Sequence, residues 1–248
     1  MLKNTFSHID GISPKIEKDL WNHGIRQWDD FLEHKHRFVN DLPKSKIEKI
    51  EKGLFASKQA LANIDLPYFK NLLKPKEHWR LCNMGKIAYV DIETTGLSRG
   101  GDEITLIGIY DGIIPHLYVN GKNLEDAKEK LKEFDIFVTF NGKQFDMPFI
   151  EHRFSCKYDA IHLDLRYMLK ELGLQGGLKS IENQLGIYRD ADLTGVDGFE
   201  AVRLWYQYKR GNQSALQKLL RYNEQDIINL KSLLQYYLDQ KQKHFLQS

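Results

Sequence analysis

Lys86-Ile87-Ala88-Tyr89-Val90-Asp91-Ile92-Glu93-Thr94-Thr95-Gly96-Leu97 reads as a buried strand that ends in acid. Its first five residues are largely apolar, with a β-branched and an aromatic residue among them, the composition of an interior strand. Successive strand side chains alternate between faces, so Asp91 and Glu93, two apart, point the same way at the strand's end. Thr94-Thr95-Gly96 interrupts the run. Ile104 to Tyr110 forms the next strand, and Asp111-Gly112 turns it into a third over Ile113 to Val119. This β-meander opens an α/β domain.

Two further acidic segments follow. Ile136 to Phe140 is another continuous apolar strand, Asn141-Gly142 is its turn, and Asp146 falls near the start of the next helix, facing the strand's carboxyl end. Ser214 to Gln240 carries a long helical pattern with Leu216, Leu219, Leu220, Ile227, Leu230 and Leu234 on the apolar side, and Tyr222 and Asp226, four apart, share one of its faces. Four carboxylates gathered at one point repel one another, and each costs several kcal/mol to bury unpaired. A divalent cation offsets that repulsion. An all-oxygen donor set without a Cys or His pair suits Mg²⁺ or Mn²⁺ and not zinc. Two such ions about 4 Å apart activate a water on one side of a phosphodiester and stabilise the leaving oxygen on the other.

Asp91-Ile92-Glu93-Thr94-Thr95-Gly96-Leu97, Asn141 to Asp146, and Tyr222 to Asp226 resemble, in order, the three exonuclease motifs of the DEDD (DnaQ-like) 3′-to-5′ exonuclease superfamily. Tyr222 four residues before Asp226 resembles the tyrosine subclass. Gly177-Leu178-Lys179-Ser180-Ile181-Glu182 with Leu185-Gly186-Ile187, and the later Asp197-Gly198, resemble the YprB-like ribonuclease H-like domain. The resemblance covers roughly residues 84–240. It implies a ribonuclease H-like α/β domain with a mixed central sheet flanked by helices. It also implies a metal-dependent 3′-to-5′ exonuclease acting on single-stranded or 3′-ended nucleic acid with two Mg²⁺ or Mn²⁺ ions. In the implied roles Asp91, Glu93 and Asp226 hold the first metal and the scissile phosphate, Asp91 and Asp146 serve the second, and Tyr222 positions the attacking water. Leu97 wedges against the terminal base and the backbone at Thr94 receives the 3′ hydroxyl. Asn141 enters the substrate-binding set, although its place in the turn suits fixing the turn better than touching substrate. Two other readings stand beside this one: a structure-specific endonuclease on the same fold, and a non-catalytic nucleic-acid-binding module.

The remaining sequence bounds the setting. At 248 residues with 42% hydrophobic content, the chain has room for one α/β domain, expected over 84–242, and a smaller all-helical module over 1–60, joined by a connector at 61–83. No apolar run approaches the roughly 20 residues of a membrane span, and Met1-Leu2-Lys3-Asn4 lacks a signal-peptide core, so the expected location is cytoplasmic, without membrane partners. Cys82 and Cys156, without CxxC spacing, read as reduced and buried thiols. Residues 1–86 carry 16 Lys and Arg against 11 Asp and Glu, a net +5, leaving 20 against 23, a net −3, for the rest.

In the basic part, Ile9-Asp10-Gly11-Ile12-Ser13-Pro14 resembles half a helix-hairpin-helix, with Ser13 as N-cap and Pro14 at the first helical position. Phosphate binding by its backbone amides and plain helical packing are both open. Asp164 is expected to cap the helix after its strand, and His152 and His162 are expected to be structural. Lys179, Arg189, Arg203, Lys209 and Arg210 are candidates for a basic groove edge, with Tyr188 or Trp205 as stacking surfaces, although aromatics such as Trp205 and Tyr208 more often belong to the core. DNA and RNA are not distinguished, because reading a 2′-hydroxyl depends on groove geometry.

Overall fold

The computed structural model describes residues 1–38, 42–193 and 195–247, which divide into two compact units: Met1–Gly85 with Lys241–Ser248, and Lys86–Gln240. The first unit is helical, with α1 (Pro14–Asn22), α2 (Trp28–His34), α3 (Lys44–Ala62) and α4 (Leu66–Leu72). Ser13 Oγ accepts from Ile16 N at 3.3 Å and Pro14 occupies the first turn, as the cap reading requires. Among the described residues a 3₁₀ turn, Leu2–Asn4, lies before Gly11 and α1 follows it. Residues 61–83 carry α4 and a 3₁₀ segment, Pro75–Leu81. Phe69 of α4 is fully buried and stacks on Trp28, ring centroids 6.1 Å apart. Burying side chains of this size contributes about 1.5–3 kcal/mol each.

Inside this unit His8 Nε2 and Ser57 Oγ are 2.9 Å apart. Burial, assisted by the positive charge of Arg80, lowers the His8 pKa to about 4. Burial, assisted by Lys143, does the same to His162 of the second unit, again to about 4. An imidazole whose folded pKa lies below its unfolded value favours the native state fully above the unfolded pKa of about 6.5, and this contribution fades as pH falls toward 4. The double variant His8→Gln/His162→Gln is therefore expected to be less stable than wild type at pH 7, by a gap that narrows at pH 4.5. Parallel denaturant titrations with a constant gap would sink this assignment.

The second unit holds a five-stranded sheet of β1 (Ile87–Thr94), β2 (Ile104–Tyr110), β3 (Pro115–Val119), β4 (Ile136–Thr139) and β5 (Ile161–Asp164), in the order β3-β2-β1-β4-β5. β1 pairs antiparallel with β2 and parallel with β4, so the sheet is mixed and β1 is central. Its helices are α5 (Asp126–Leu131), α6 (Asp146–Phe154), α7 (Leu165–Glu171), α8 (Leu178–Gln184), α9 (Gly198–Lys209) and residues 213–240 of α10 (Gln213–Gln247). Strand alternation sorts the core. Val90, Ile92, Ile107 and Ile109 face one cluster with Ala127, Phe149 and Ile150 of α5 and α6. Leu106 faces the other, with Leu204 and Trp205 of α9 and Leu216, Leu219 and Tyr222 of α10.

Two details differ from the sequence expectation, and Trp205 takes the core place that such an aromatic more often has. β3 begins at Pro115 because Asp111 Oδ1 accepts from Ile113 N and Ile114 N at 2.8 and 2.7 Å, tying those residues into the turn. α10 runs seven residues past Gln240, to Gln247. Trp205 is core, 4% exposed, and offers no open stacking face. Cys82 is buried and Cys156 half-buried, both free thiols. No helix among the described residues is long and apolar enough to cross a membrane.

Candidate active site

The acidic residues reach one cleft from three segments of the chain. Asp91 and Glu93 leave the last turns of β1 on the face toward α10, while Ile92 between them points into the opposite core. Asp146 opens α6, and its Oδ1 accepts from Ile92 N at 3.1 Å, which holds the helix start against the middle of the acidic pair. Asp226 and Tyr222 descend from one face of α10, as their four-residue spacing requires. Asp91, Glu93 and Asp226 each offer a ligand atom, and these atoms lie within 4.8 Å of one another. Asp146 stands beside that trio. The cleft is lined by every residue the sequence nominated: Asp91, Glu93, Thr94, Leu97, Asn141, Asp146, Tyr222 and Asp226.

The smaller contributions fit the same place. Leu97 is 85% exposed at the cleft's rim. Thr94 Oγ1 donates to Gly96 O at 2.6 Å, closing the turn after β1. Asn141 sits at φ 65°, the left-handed conformation that Asn tolerates, and its N–H donates to Asp164 Oδ1 at 2.8 Å. Asp164 caps α7 through Arg166 N at 3.1 Å, and His162 Nε2 lies 2.8 Å from Thr139 Oγ1, so both residues serve local structure.

Electrostatics show a cluster of mutually repelling, desolvated acids. Burial, then Asp226, Asp146 and Glu93, raise the Asp91 pKa well above the carboxylate range; burial and Asp226 do the same to Glu93. Asp146 is pushed up to about 7 by burial, against the pull of backbone N–H groups. Asp226 is pushed up to about 6 by burial, with Arg189 opposing. Converging, desolvated carboxylate oxygens and no sulfur or imidazole make this donor set fit a hard divalent ion.

Four participants were not foreseen in these roles. Asn223, fully buried, donates from Nδ2 to Asp91 Oδ2 at 2.8 Å. Its room is made by Gly108, which pairs with Asp91 across β1 and β2: a Cβ there would lie 2.0 Å from Asn223 Oδ1. Arg189, expected on an open groove edge, is instead 8% exposed at its side chain. It pairs with Glu182 through Nε at 2.7 Å and Nη2 at 2.8 Å, and with Asp226 through Nη2. Burial works against its charge, but Glu182 and Asp226 more than offset that and raise its pKa. Glu182, 1% exposed, also accepts from Asn229 Nδ2 at 2.9 Å. The sequence signals were faint: opposite charges seven apart across a glycine, and an Asn next to Tyr222.

A family B DNA polymerase from the hyperthermophilic archaeon Pyrobaculum calidifontis superimposes with a TM-score of 0.52 at 14% identity, over 62% of this chain and 24% of the polymerase. This chain thus spans about a quarter of that protein, and the likeness is one of fold. Brucella melitensis NrnC with bound Mg²⁺ aligns with a TM-score of 0.33 at 16% identity, over 61% of this chain and 83% of that one. No curated protein matches by sequence. The model of the RNase_H superfamily matches residues 88–238, the whole of the sheet and the helices that carry the acidic cleft. With well over half of its length inside that match, the chain belongs to the RNase_H superfamily.

Proposed function

We propose that this chain is a metal-dependent nuclease that removes nucleotides from the 3′ end of single-stranded nucleic acid. The observation that carries the reading is the convergence of Asp91, Glu93 and Asp226 ligand atoms within 4.8 Å in a cleft also lined by Asp146 and Tyr222. Asp91, Glu93 and Asp226 hold one Mg²⁺ or Mn²⁺, and Asp91 with Asp146 serves a second. When bound, the two ions supply a nucleophilic water and stabilise the leaving oxygen. The phenol of Tyr222 orients that water; its pKa is raised by burial and by Asp226, so it remains a neutral donor. Leu97 at the rim packs on the terminal base, and the backbone at Thr94 receives the 3′ hydroxyl. Residues 84–242 form the catalytic domain, acting in the cytoplasm.

Lys179 supports an anionic substrate. Its Nζ is buried without a hydrogen-bond partner among the described residues and lies 4.7 Å from the centroid of the Tyr222 ring. Burial, with Arg189, lowers its pKa. An unpaired buried ammonium is costly, and a phosphate oxygen entering the cleft relieves it. Lys179→Met is therefore expected to raise the melting temperature of the free protein while lowering kcat/KM by about 10–100-fold, the loss of one charge-assisted contact of ~1.5–3 kcal/mol. A variant less stable than wild type with unchanged kinetics would remove Lys179 from the site.

The function itself is tested by incubating 5′-labelled and 3′-labelled single-stranded DNA and RNA with Mg²⁺, Mn²⁺ or EDTA. Metal-dependent loss of the 3′ label, with a ladder on the 5′-labelled strand, is the expected result. Cleavage of a circular single strand, which has no end, would replace exonuclease by endonuclease. No cleavage of any substrate in either metal would overturn the reading.

A further inference from the structure

A second concavity adjoins the acidic cleft. It is lined by Gln144, Arg166, Tyr167, Lys170 and Gln175, with a leucine and a glycine beside them and no carboxylate. Gln144 belongs to the turn that ends at Asp146, next to Phe145, which lines the acidic cleft. Arg166 Nη1 donates to Asn141 Oδ1 at 2.8 Å, and Asn141 also lines that cleft. The two concavities are therefore joined through one side-chain contact.

The junction is built rigidly. Asp164, 2% exposed, accepts from Asn141 N at 2.8 Å, Lys143 N at 3.1 Å and Arg166 N at 3.1 Å. One buried carboxylate thus locks the turn before Asp146 to the start of α7. On α7, Arg166 and Lys170 are four apart and so share a face, and Tyr167 lies three before Lys170, with its ring 43% exposed. Two exposed cations, an exposed aromatic ring and two amides, held at a fixed offset from a metal-type cleft, match the needs of a nucleotide. The cations suit phosphodiester oxygens, the ring a base, and the amides base edges or sugar hydroxyls.

We infer that this concavity is a binding subsite for a nucleotide of the single strand lying beyond the cleaved bond, with Arg166 and Lys170 on its phosphates and Tyr167 stacked on its base. The subsite rests on the nuclease reading for its place along the strand. It makes the protein a length sensor: a dinucleotide fills the acidic cleft alone, and a longer strand engages α7 as well.

The test is fluorescence anisotropy of labelled deoxy- and ribo-dinucleotides and octamers, in Ca²⁺ to suppress turnover, with wild type, Arg166→Ala/Lys170→Ala, Lys170→Glu and Tyr167→Ala. Circular dichroism checks that each variant is folded. The octamer's advantage over the dinucleotide is expected to fall about tenfold in Tyr167→Ala, the loss of one stacked base. In the double variant it is expected to fall further, with the slope of log K against log salt shallower by about 1.4, two single-strand phosphate contacts. Octamer binding and salt slope equal to wild type in folded variants would overturn the subsite. If wild type hydrolyses nothing in Mg²⁺ or Mn²⁺ but the variants still lose octamer affinity, the nuclease reading falls and the subsite stands.

Discussion

Asp91→Asn is expected to abolish metal-dependent hydrolysis without harming the fold. Asp91 serves both proposed metal positions, and each is worth several kcal/mol of transition-state stabilisation. At about 1.4 kcal/mol per factor of ten, the loss is on the order of a thousandfold or more in kcat/KM. The amide keeps the shape of the carboxylate and an oxygen to accept from Asn223, which donates to Asp91 at 2.8 Å in the wild type. It removes one charge from a cluster in which burial and three neighbouring acids already disfavour ionisation. The metal-free variant should therefore melt no lower than wild type, and in EDTA somewhat higher. Wild type at a hundredfold excess of Mg²⁺ over its Kd gains about 2.7 kcal/mol of stability, and the variant should lose most of that shift. Calorimetry with and without EDTA separates the cases: a variant that melts low in both conditions would make Asp91 a structural residue.

The second large effect is on stability. Arg189→Met strips the cation from Glu182 and Asp226, both nearly buried, and leaving a buried charge uncompensated costs about 3–5 kcal/mol. Metal affinity should fall by about 10–100-fold as well, since Asp226 loses the group that orients it. The double variant Arg189→Met/Glu182→Leu removes the Arg189–Glu182 pair and is expected to recover part of the stability, because a well-packed apolar replacement is often neutral while Asp226 stays without its cation. Its metal affinity should stay low. Recovery of both properties together would show that Arg189 acts only through folding. Denaturant midpoints and calorimetric Mg²⁺ titration provide the two readouts.

Much of this was legible in the sequence because it rests on local rules. Alternation along β1 put Asp91 and Glu93 on one face, helical spacing put Tyr222 and Asp226 together, and Asn141-Gly142 marked the turn before Asp146. The parts that were not legible depend on tertiary approach. Nothing local says that Gly108 is bare because Asn223 needs the space, or that Arg189 turns inward to Glu182 and not outward to solvent. A basic residue near acidic motifs reads as a substrate contact until its burial is known. The start of β3 moved because Asp111 recruited Ile113 and Ile114 into a turn, where side-chain chemistry outweighed β propensity.

The contact between Asn223 and Asp91 joins residues 132 positions apart. Pairings of that separation form late, since the intervening chain must first be ordered. A chain emerging from the ribosome presents Asp91 and Glu93 long before α10 exists, and until α10 docks it has neither Asp226 nor Tyr222 to complete the cleft. On the nuclease reading proposed above, a chain whose α10 has not yet docked would lack two of the groups that complete the cleft and would be inactive.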